Sequence, residues 1–177
     1  MTQVAASVSG TASPVSSRSS KTEGAAAEQM QFISFAISDD QYGVDIMAVR
    51  EIKGWSDVTA LPKQPDYVRG VLNLRGAIVP IVDLRCRFGQ GKTEATALHV
   101  VIIVQIASRL VGLLADRVLD IVTLEGGQMQ PVPKAAGGQS AAFIAGLATL
   151  DSGMLALIDL PHLLSEQIEG EGFAPAA

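Results

Sequence analysis

The sequence predicts an all-β fold built from two similar halves. Short aliphatic runs alternate with turn signals about every 8–12 residues, a spacing typical of small sandwiches and barrels. Hydrophobic residues make up 48% of the 177 residues but aromatic residues only 5%, so the core must consist mainly of Val, Ile, Leu and Ala. A hairpin motif in the middle of the chain also has a counterpart near its end, which suggests an internal duplication.

The first strands follow from apolar residues that recur at every second position. This alternation predicts a strand over 32–37, a turn at 38–41 and a return strand over 42–46. Residues 47–52, MAVREI, fit either a helical turn or a short strand, and both remain open. Residues 61–65 form a loop bounded by prolines.

The clearest hairpin lies at residues 70–85, with the sequence GVLNLRGAIVPIVDLR. Two apolar runs, VLNL and IVPIVDL, flank a turn signal that begins at Arg75. Pro80 interrupts the second run, and proline cannot donate a hydrogen bond to a β-ladder. We therefore expect the second strand to be an edge strand or to bend locally, and we expect the hairpin to be a contact surface.

A second β-rich half follows a connection at residues 86–97. Residues 100–106 form a nearly continuous apolar strand, 107–108 a tight turn and 110–115 the return strand. Residues 126–139, which are rich in Pro and Gly, are predicted to form a loop. Another hairpin then comes from strands at 144–150 and 154–160 around a turn at 151–153.

The two halves match each other at two places. GVLNLRGAIVPIVDL at 70–84 and GLATLDSGMLALIDL at 146–160 have equal length, begin with glycine, turn after the fifth residue and end in Asp-Leu. YGVDIMAVREI at 42–52 also resembles VGLLADRVLDI at 111–121. Two matched segments in the same order suggest a duplication. Two such small β-units would need to share one core, because each is too small for a robust core of its own.

The chain is predicted to close with a short helix between terminal tails. Asp159 stands at the capping position of a helix over 161–168, whose first turn tolerates proline. Residues 1–28 and 169–177 show no hydrophobic period and are expected to be disordered. The boundaries that follow are 29–168 for the ordered domain, mainly 30–88 for the first unit and mainly 98–158 for the second.

Composition and charge exclude several functional classes. A net charge of −5 and a pI near 4.9 argue against nucleic-acid or anionic-membrane surfaces. Cys86 is the only cysteine, which excludes an internal disulfide and fits a reducing cytosol. There is no signal-peptide pattern, and the apolar stretch at 100–115 is too short for a bilayer span of roughly 20 residues. We expect a soluble, cytosolic protein.

The stretch Gly91-Lys92-Thr93 resembles the end of a phosphate-binding loop. That motif requires glycine where Cys86 stands and a helix immediately after the loop. Here the sequence leads into a strand instead. A solvated loop with an incidental lysine is the better interpretation.

No residue set in the sequence points convincingly to catalysis, a metal or a cofactor. Cys86 lacks a nucleophile motif, and neither His99 nor His162 has partners at metal-ligand spacing. A small enzyme that uses Cys86 or Lys92 is the rival hypothesis; Cys86→Ser or Lys92→Ala would then abolish activity without unfolding the protein. The aspartates at strand ends are predicted to be solvated turn carboxylates: Asp45, Asp83, Asp116, Asp120 and Asp159.

Residues 29–167 resemble the CheW-like coupling proteins of bacterial chemotaxis. The resemblance rests on FISFAISDDQYGVDIMAVREIKG at 32–54 and the hairpin at 70–85, with VVIIVQI and RLVGLLADRVLDIVTL in the second half. It implies two five-stranded SH3-like β-barrels that share a hydrophobic core.

The resemblance also implies a non-enzymatic adaptor. Such a protein links the cytoplasmic tips of methyl-accepting chemoreceptors to the regulatory domain of a chemotaxis histidine kinase. It is cytoplasmic and reaches membrane receptor arrays through its partners, without inserting into the membrane and without nucleic acid or a cofactor. The alternative is the same role in a non-flagellar pathway such as pilus motility or development.

Five positions match family positions linked to receptor or kinase coupling: Val49, Glu51, Gly70, Arg75 and Val100. Glu51 and Arg75 are expected to pair, whereas core packing competes with a contact role for the two valines. A solvated turn residue is the alternative interpretation of Arg75. Leu72 departs from many relatives, which have a small polar residue there. Asp151 occupies the position of Arg75 in the second hairpin, so we expect docking at the first hairpin.

Overall fold

The predicted all-β class is confirmed. The computed structural model describes residues 28–134 and 138–165, so most of the predicted tails lies outside the described residues. Two four-residue helices follow strand ends, α1 (Leu84–Arg87) and α2 (Leu160–Leu163), and 3₁₀ turns occupy Ile46–Ala48, Gly126–Gln128 and Gln139–Phe143. The strands are β1 (Gln29–Ile37), β2 (Asp40–Asp45), β3 (Val49–Gly54), β4 (Val68–Leu74), β5 (Ala77–Asp83), β6 (Val100–Ile106), β7 (Arg109–Ala115), β8 (Arg117–Glu125), β9 (Met129–Gln130), β10 (Ile144–Leu150) and β11 (Gly153–Ile158).

The strands form two sheets, and each sheet takes strands from both halves of the chain. The six-stranded sheet has the order β8-β1-β2-β11-β10-β9, and the five-stranded sheet has the order β3-β6-β7-β5-β4. The hairpin β1–β2 therefore lies in the sheet of the second half, and β6–β7 lies in the sheet of the first half. The two halves exchange their opening hairpins.

The exchange uses equivalent registers in both directions. β5 pairs in parallel with β7, with Ile81 opposite Gly112, and β11 pairs in parallel with β2, with Leu157 opposite Gly43. A Cβ atom on Gly112 would overlap the side chain of Ile81, and one on Gly43 would lie 3.1 Å from the Leu157 side chain. The glycine repeated in YGVD and VGLL thus leaves room for the crossing partner strand.

This arrangement differs from the sequence-based division into units at 30–88 and 98–158. β1 and β2, which the sequence placed in the first unit, belong to the six-stranded sheet. β6 and β7, which it placed in the second unit, belong to the five-stranded sheet. Sequence similarity identifies the two repeats, but the choice of partner for each hairpin depends on tertiary packing, which no single strand encodes.

The main hydrophobic core joins the two sheets. Its buried members include Ile33 and Phe35 from the six-stranded sheet and Ile102 and Val104 from the five-stranded sheet. Val101 and Ile103, on the opposite face of β6, belong to a separate cluster within the five-stranded sheet. Both faces of β6 are therefore buried, which explains its continuous apolar sequence. Each such side chain contributes roughly 1.5–3 kcal/mol of burial free energy.

The five-stranded sheet curls so that its edges are joined through the chain that follows β3. The N–H of Trp55 donates to the carbonyl of His99 beside β6, and Thr59 exchanges two hydrogen bonds with Val71 of β4, of 2.9 and 2.8 Å. Gly70 has a φ of 142°, and a Cβ atom there would overlap the carbonyl oxygen of Thr59. In the other sheet β9 takes the place of Thr59, because Gln130 pairs with Leu147. β9 is therefore the sixth strand of that sheet, whereas the resemblance implied five strands in each barrel.

The expectation that Pro80 marks an edge strand is wrong for β5 as a whole. β5 lies between β4 and β7. Its pairing with β7 begins at Ile81, so Pro80 is opposite Val71 of β4 and has no partner on the other side. The proline is tolerated because it precedes the doubly paired part of the strand.

The prediction of a solvated carboxylate is wrong for Asp83, which is completely buried. Its carboxylate accepts hydrogen bonds from the N–H and hydroxyl of Thr93, at 2.8 and 2.6 Å, and lies 3.5 Å from the Arg69 guanidinium. The loop after α1 folds back over the end of β5, so Thr93 is buried while Gly91 and Lys92 are exposed. The stretch with a phosphate-loop appearance is therefore anchored through its threonine.

The predicted C-terminal helix is present with its cap, but it is shorter than expected within the described residues. Asp159 caps α2 as predicted, accepting a hydrogen bond of 3.0 Å from the N–H of His162. The helix α2 ends at Leu163, and residues beyond 165 lie outside the described part. Strand β8 is absent from the sequence prediction, because its exposed and buried residues do not alternate regularly.

The exchanged hairpins predict that neither half folds alone. We expect a fragment of residues 28–97, or one of 98–165, to lack a cooperative unfolding transition as a monomer, because an isolated hairpin is marginally stable in water. An equimolar mixture should recover a 1:1 complex with the circular dichroism spectrum of the intact chain. A monomeric fragment that unfolds cooperatively by itself would contradict the exchange.

Candidate functional site

The turn between β4 and β5 holds Arg75 out into solvent. Leu74 pairs with Ala77, and the two residues between them, Arg75 and Gly76, have φ values of 49° and 89°. Positive φ at both positions defines a type I′ turn, whose twist suits an antiparallel hairpin. The Asn73 side-chain oxygen accepts a hydrogen bond of 2.8 Å from the N–H of Gly76. The arginine side chain is 77% exposed.

Arg75 forms an ion pair with Glu51 of β3. The Arg75 Nη2 and Glu51 Oε2 atoms are 2.7 Å apart, so the expected pairing is present. β3 and β4 are the two edge strands of their sheet, and the ion pair bridges from one edge to the turn beyond the other. An exposed pair contributes only about 0–1 kcal/mol to stability. The ion pair therefore mainly fixes how the Arg75 and Glu51 side chains are oriented between the two edges of the sheet.

The remaining predicted site residues have structural roles of their own. Val49 and Val100 are half-buried and pack against the main core. Gly70 is buried and needs its positive φ, as described above. Leu72 is half-buried and packs against the cluster inside the five-stranded sheet. A contact role for Val49, Gly70 and Val100 stays a prediction.

Two exposed isoleucines lie within three residues of the ion-pair residues in the chain and were missed by the sequence analysis. Ile52 follows Glu51 and is 41% exposed, and Ile78 lies opposite Asn73 and is 50% exposed. The unbroken apolar run IVPIV gave no sign that its first residue faces solvent. We call Glu51, Ile52, Arg75 and Ile78 the Arg75 surface.

The six-stranded sheet carries different charges at the equivalent positions. Glu51 pairs with Ile103 of β6, and Asp120 pairs with Ser34 of β1 in the matching register. Asp151 stands in the turn where the first hairpin has Arg75. Two acidic residues thus replace the ion pair, so the repeated backbone presents distinct chemistry on the two sheets.

Over 28–134 and 138–165, no three His, Cys, Asp or Glu residues cluster closely enough to hold a metal. An open groove of about 440 Å³ lies on the six-stranded sheet, where Asp40, Tyr42 and Met154 contribute to its wall. Burial, together with the nearby Asp40 charge, raises the pKa of the Tyr42 phenol.

Cys86 and His99 do not form a nucleophile–base pair in this structure. The His99 Nδ1 atom accepts a hydrogen bond of 3.0 Å from the N–H of Thr96, and its Nε2 atom lies 3.7 Å from Asp116. Burial raises the pKa of the Cys86 thiol, and the charges of Asp83 and Asp66 add to that effect. A thiol with a raised pKa is a poor nucleophile at neutral pH.

The raised pKa predicts slow reaction of Cys86 with thiol reagents. Because less thiolate is present at any pH below the raised value, we expect slower labelling at pH 7 than for a free cysteine. The rate should rise with pH around a midpoint above the ordinary thiol value. The chain unfolded in denaturant serves as the control and should react at the ordinary rate. A midpoint below that of free cysteine would contradict this prediction.

Neither helix in the described part of the chain has the length and apolarity needed to cross a membrane.

Comparison with known proteins identifies the family. The sequence profile of the CheW-like domain matches residues 31–167. The chemotaxis protein CheW of Rhizobium meliloti (strain 1021) is 44% identical over 137 residues, which cover 77% of this chain and 88% of that protein. The Klebsiella aerogenes chemotaxis protein CheW is 39% identical over 137 residues, covering 77% and 82% respectively.

A solved structure has the same fold. The scaffolding protein TtCheW from Thermoanaerobacter tengcongensis superposes with a TM-score of 0.71 at 31% identity, covering 82% of this chain and 92% of that chain. The chain thus shares both sequence and fold with chemotaxis scaffold proteins, and it belongs to the CheW family.

Proposed function

We propose that this protein is an adaptor that couples the cytoplasmic tips of chemoreceptors to a chemotaxis histidine kinase and transmits receptor control of kinase activity. The observation that carries the proposal is the Arg75 surface. It includes an outward arginine on the β4–β5 turn, its acidic partner at 2.7 Å on β3 and two exposed isoleucines, one on β3 and one on β5, in a chain of the CheW family. Exposed charged and apolar side chains around a hairpin turn suit recognition of another protein.

A non-enzymatic role agrees with the chemistry of the described residues. Cys86 is half-buried with a raised pKa, and Thr93 of the Gly91–Thr93 stretch is engaged with Asp83. Of the residues that suggested a rival enzyme, Thr93 is engaged in a buried structural contact, and Lys92 is exposed.

The shared core supplies a mechanism for transmission. A displacement of β3 by a bound partner would be passed to β6, because the two strands are hydrogen-bonded. β6 in turn packs through Ile102 and Val104 into the core that both sheets share. We propose that Val49 and Val100 support the receptor-facing surface from that core and that Gly70 fixes the course of β4 behind it. The kinase regulatory domain binds at an end of a barrel. The protein acts in the cytoplasm, associated with receptor arrays.

Reversing the charge of Arg75 should uncouple the receptor from the kinase. In a reconstituted assay of receptor fragment, kinase and this protein, we expect Arg75→Glu to weaken receptor-dependent control about tenfold, equivalent to about 1.4 kcal/mol. The thermal midpoint should change little, because the ion pair is exposed. Arg117→Glu, which reverses an exposed charge on β8 of the other sheet, is the matched control and should behave as the unaltered protein.

A charge swap separates the ion pair from a direct contact. The double variant Glu51→Arg/Arg75→Glu restores an internal pair with the charges exchanged. If Arg75 itself touches the receptor, the double variant stays uncoupled. Full control in Arg75→Glu, or full rescue by the swap, would refute Arg75 as a docking residue.

A further inference from the structure

Asp116 stands where the chain passes from the five-stranded sheet to the six-stranded sheet. It is the single residue between β7, which ends at Ala115, and β8, which begins at Arg117. Its backbone N–H donates a hydrogen bond of 3.0 Å to the carbonyl of Ala36 in β1. The backbone is therefore already bound to the six-stranded sheet at this point.

The carboxylate of Asp116 contacts both sheets at once. Its Oδ2 atom accepts a hydrogen bond of 2.8 Å from the N–H of Ser38, in the β1–β2 turn of the six-stranded sheet. The same oxygen accepts one of 2.7 Å from Nη2 of Arg85, in α1 directly after β5 of the five-stranded sheet. The Oδ1 atom lies 3.7 Å from Nε2 of His99, just before β6. The Asp116 side chain is 18% exposed, so solvent screens these contacts only in part.

The Asp116 carboxylate is the acceptor for a backbone donor of one sheet and a guanidinium of the other. The Nε atom of Arg85 is buried and has no hydrogen-bond partner among the described residues, so the carboxylate is an important acceptor for this guanidinium. Ser38 has a φ of 55°, which is uncommon for a residue other than glycine. The bond to its N–H holds the turn in that conformation. Hydrogen bonds between charged groups are shorter and stronger than neutral ones.

The other crossover between the sheets is built differently. The matched segments 42–52 and 111–121 place Met47 at the position of Asp116. Met47 lies in the 3₁₀ turn between β2 and β3, and its side chain is 77% exposed. An acidic tether is therefore found at one of the two equivalent crossovers.

We propose that Asp116 is a positioning residue whose carboxylate, bound to Ser38 and Arg85, fixes the orientation of the six-stranded sheet relative to the five-stranded sheet. The apolar core that joins the sheets is close-packed, and at its border the directional bonds of Asp116 add a polar constraint on the relative angle of the sheets. The consequence for signalling rests on the proposed function: Asp116 sets the angle at which the Arg75 surface and the six-stranded sheet face their partners.

A distance measurement between the sheets tests the tether without any partner. Spin labels would be attached at Ala77 of β5 and Thr149 of β10, both exposed, in a Cys86→Ser background. We expect Asp116→Asn, which keeps the shape and removes the charge, to broaden or shift the distance distribution. The control Asp120→Asn should leave it unchanged, because the Asp120 carboxylate accepts from the N–H of Ile121 in its own strand. A distribution for Asp116→Asn identical to that of the parent would overturn the proposal.

A second variant guards against a simple folding defect. Arg85→Gln removes the other partner and should shift the distribution in the same direction as Asp116→Asn. The double variant should add nothing to the single ones, because residues that act through one contact are not additive. Independent, additive shifts would overturn the tether. Each variant must keep a cooperative thermal transition, and if Asp116→Asn does not, Arg85→Gln carries the test.

The coupling assay then separates this proposal from the proposed function. Asp116→Asn should still bind a receptor fragment through the Arg75 surface while its control of the kinase changes. If Arg75→Glu leaves coupling intact, the docking assignment fails, yet the distance measurement still decides whether Asp116 orients the sheets.

Discussion

The reciprocal exchange of opening hairpins is the constraint on which the rest of the structure depends. Because β2 pairs with β11 and β7 pairs with β5, neither sheet exists without strands from both halves. The central strands are buried on both faces, and the main core draws on both sheets. Glycine at the crossing points, Gly43 and Gly112, allows the close approach of the partner strands. Two units too small for separate cores thus become one interlocked body.

The repeat also shows how one backbone can carry two surfaces. The hairpins β4–β5 and β10–β11 share a glycine after a register shift and a capping aspartate at the far end. They differ at the turn, where Arg75 is replaced by Asp151. A change of charge at an exposed turn costs little stability, so the two sheets can present different charges on the same backbone.

Sequence reasoning succeeded where local patterns decide the structure. The hairpins, the ambiguous segment that became a 3₁₀ turn followed by β3, and the cap at Asp159 all follow from alternation, turn residues and capping chemistry. It failed where partners distant in sequence decide. The burial of Asp83 depends on a loop that returns over β5, and the hairpin exchange depends on packing between repeats. The ion pair of Arg75 with Glu51 came from the family resemblance, since no local rule joins residues on opposite sheet edges.

The proposed docking of a receptor at the Arg75 surface is tested most directly by mapping receptor contacts on the ¹⁵N-labelled protein by NMR. Titration with a soluble chemoreceptor cytoplasmic fragment should perturb amide signals of β3 and of the β4–β5 turn around Arg75. The equivalent turn at Asp151 should change little. Perturbations confined to the β10–β11 turn and β8, with the Arg75 turn silent, would contradict the account.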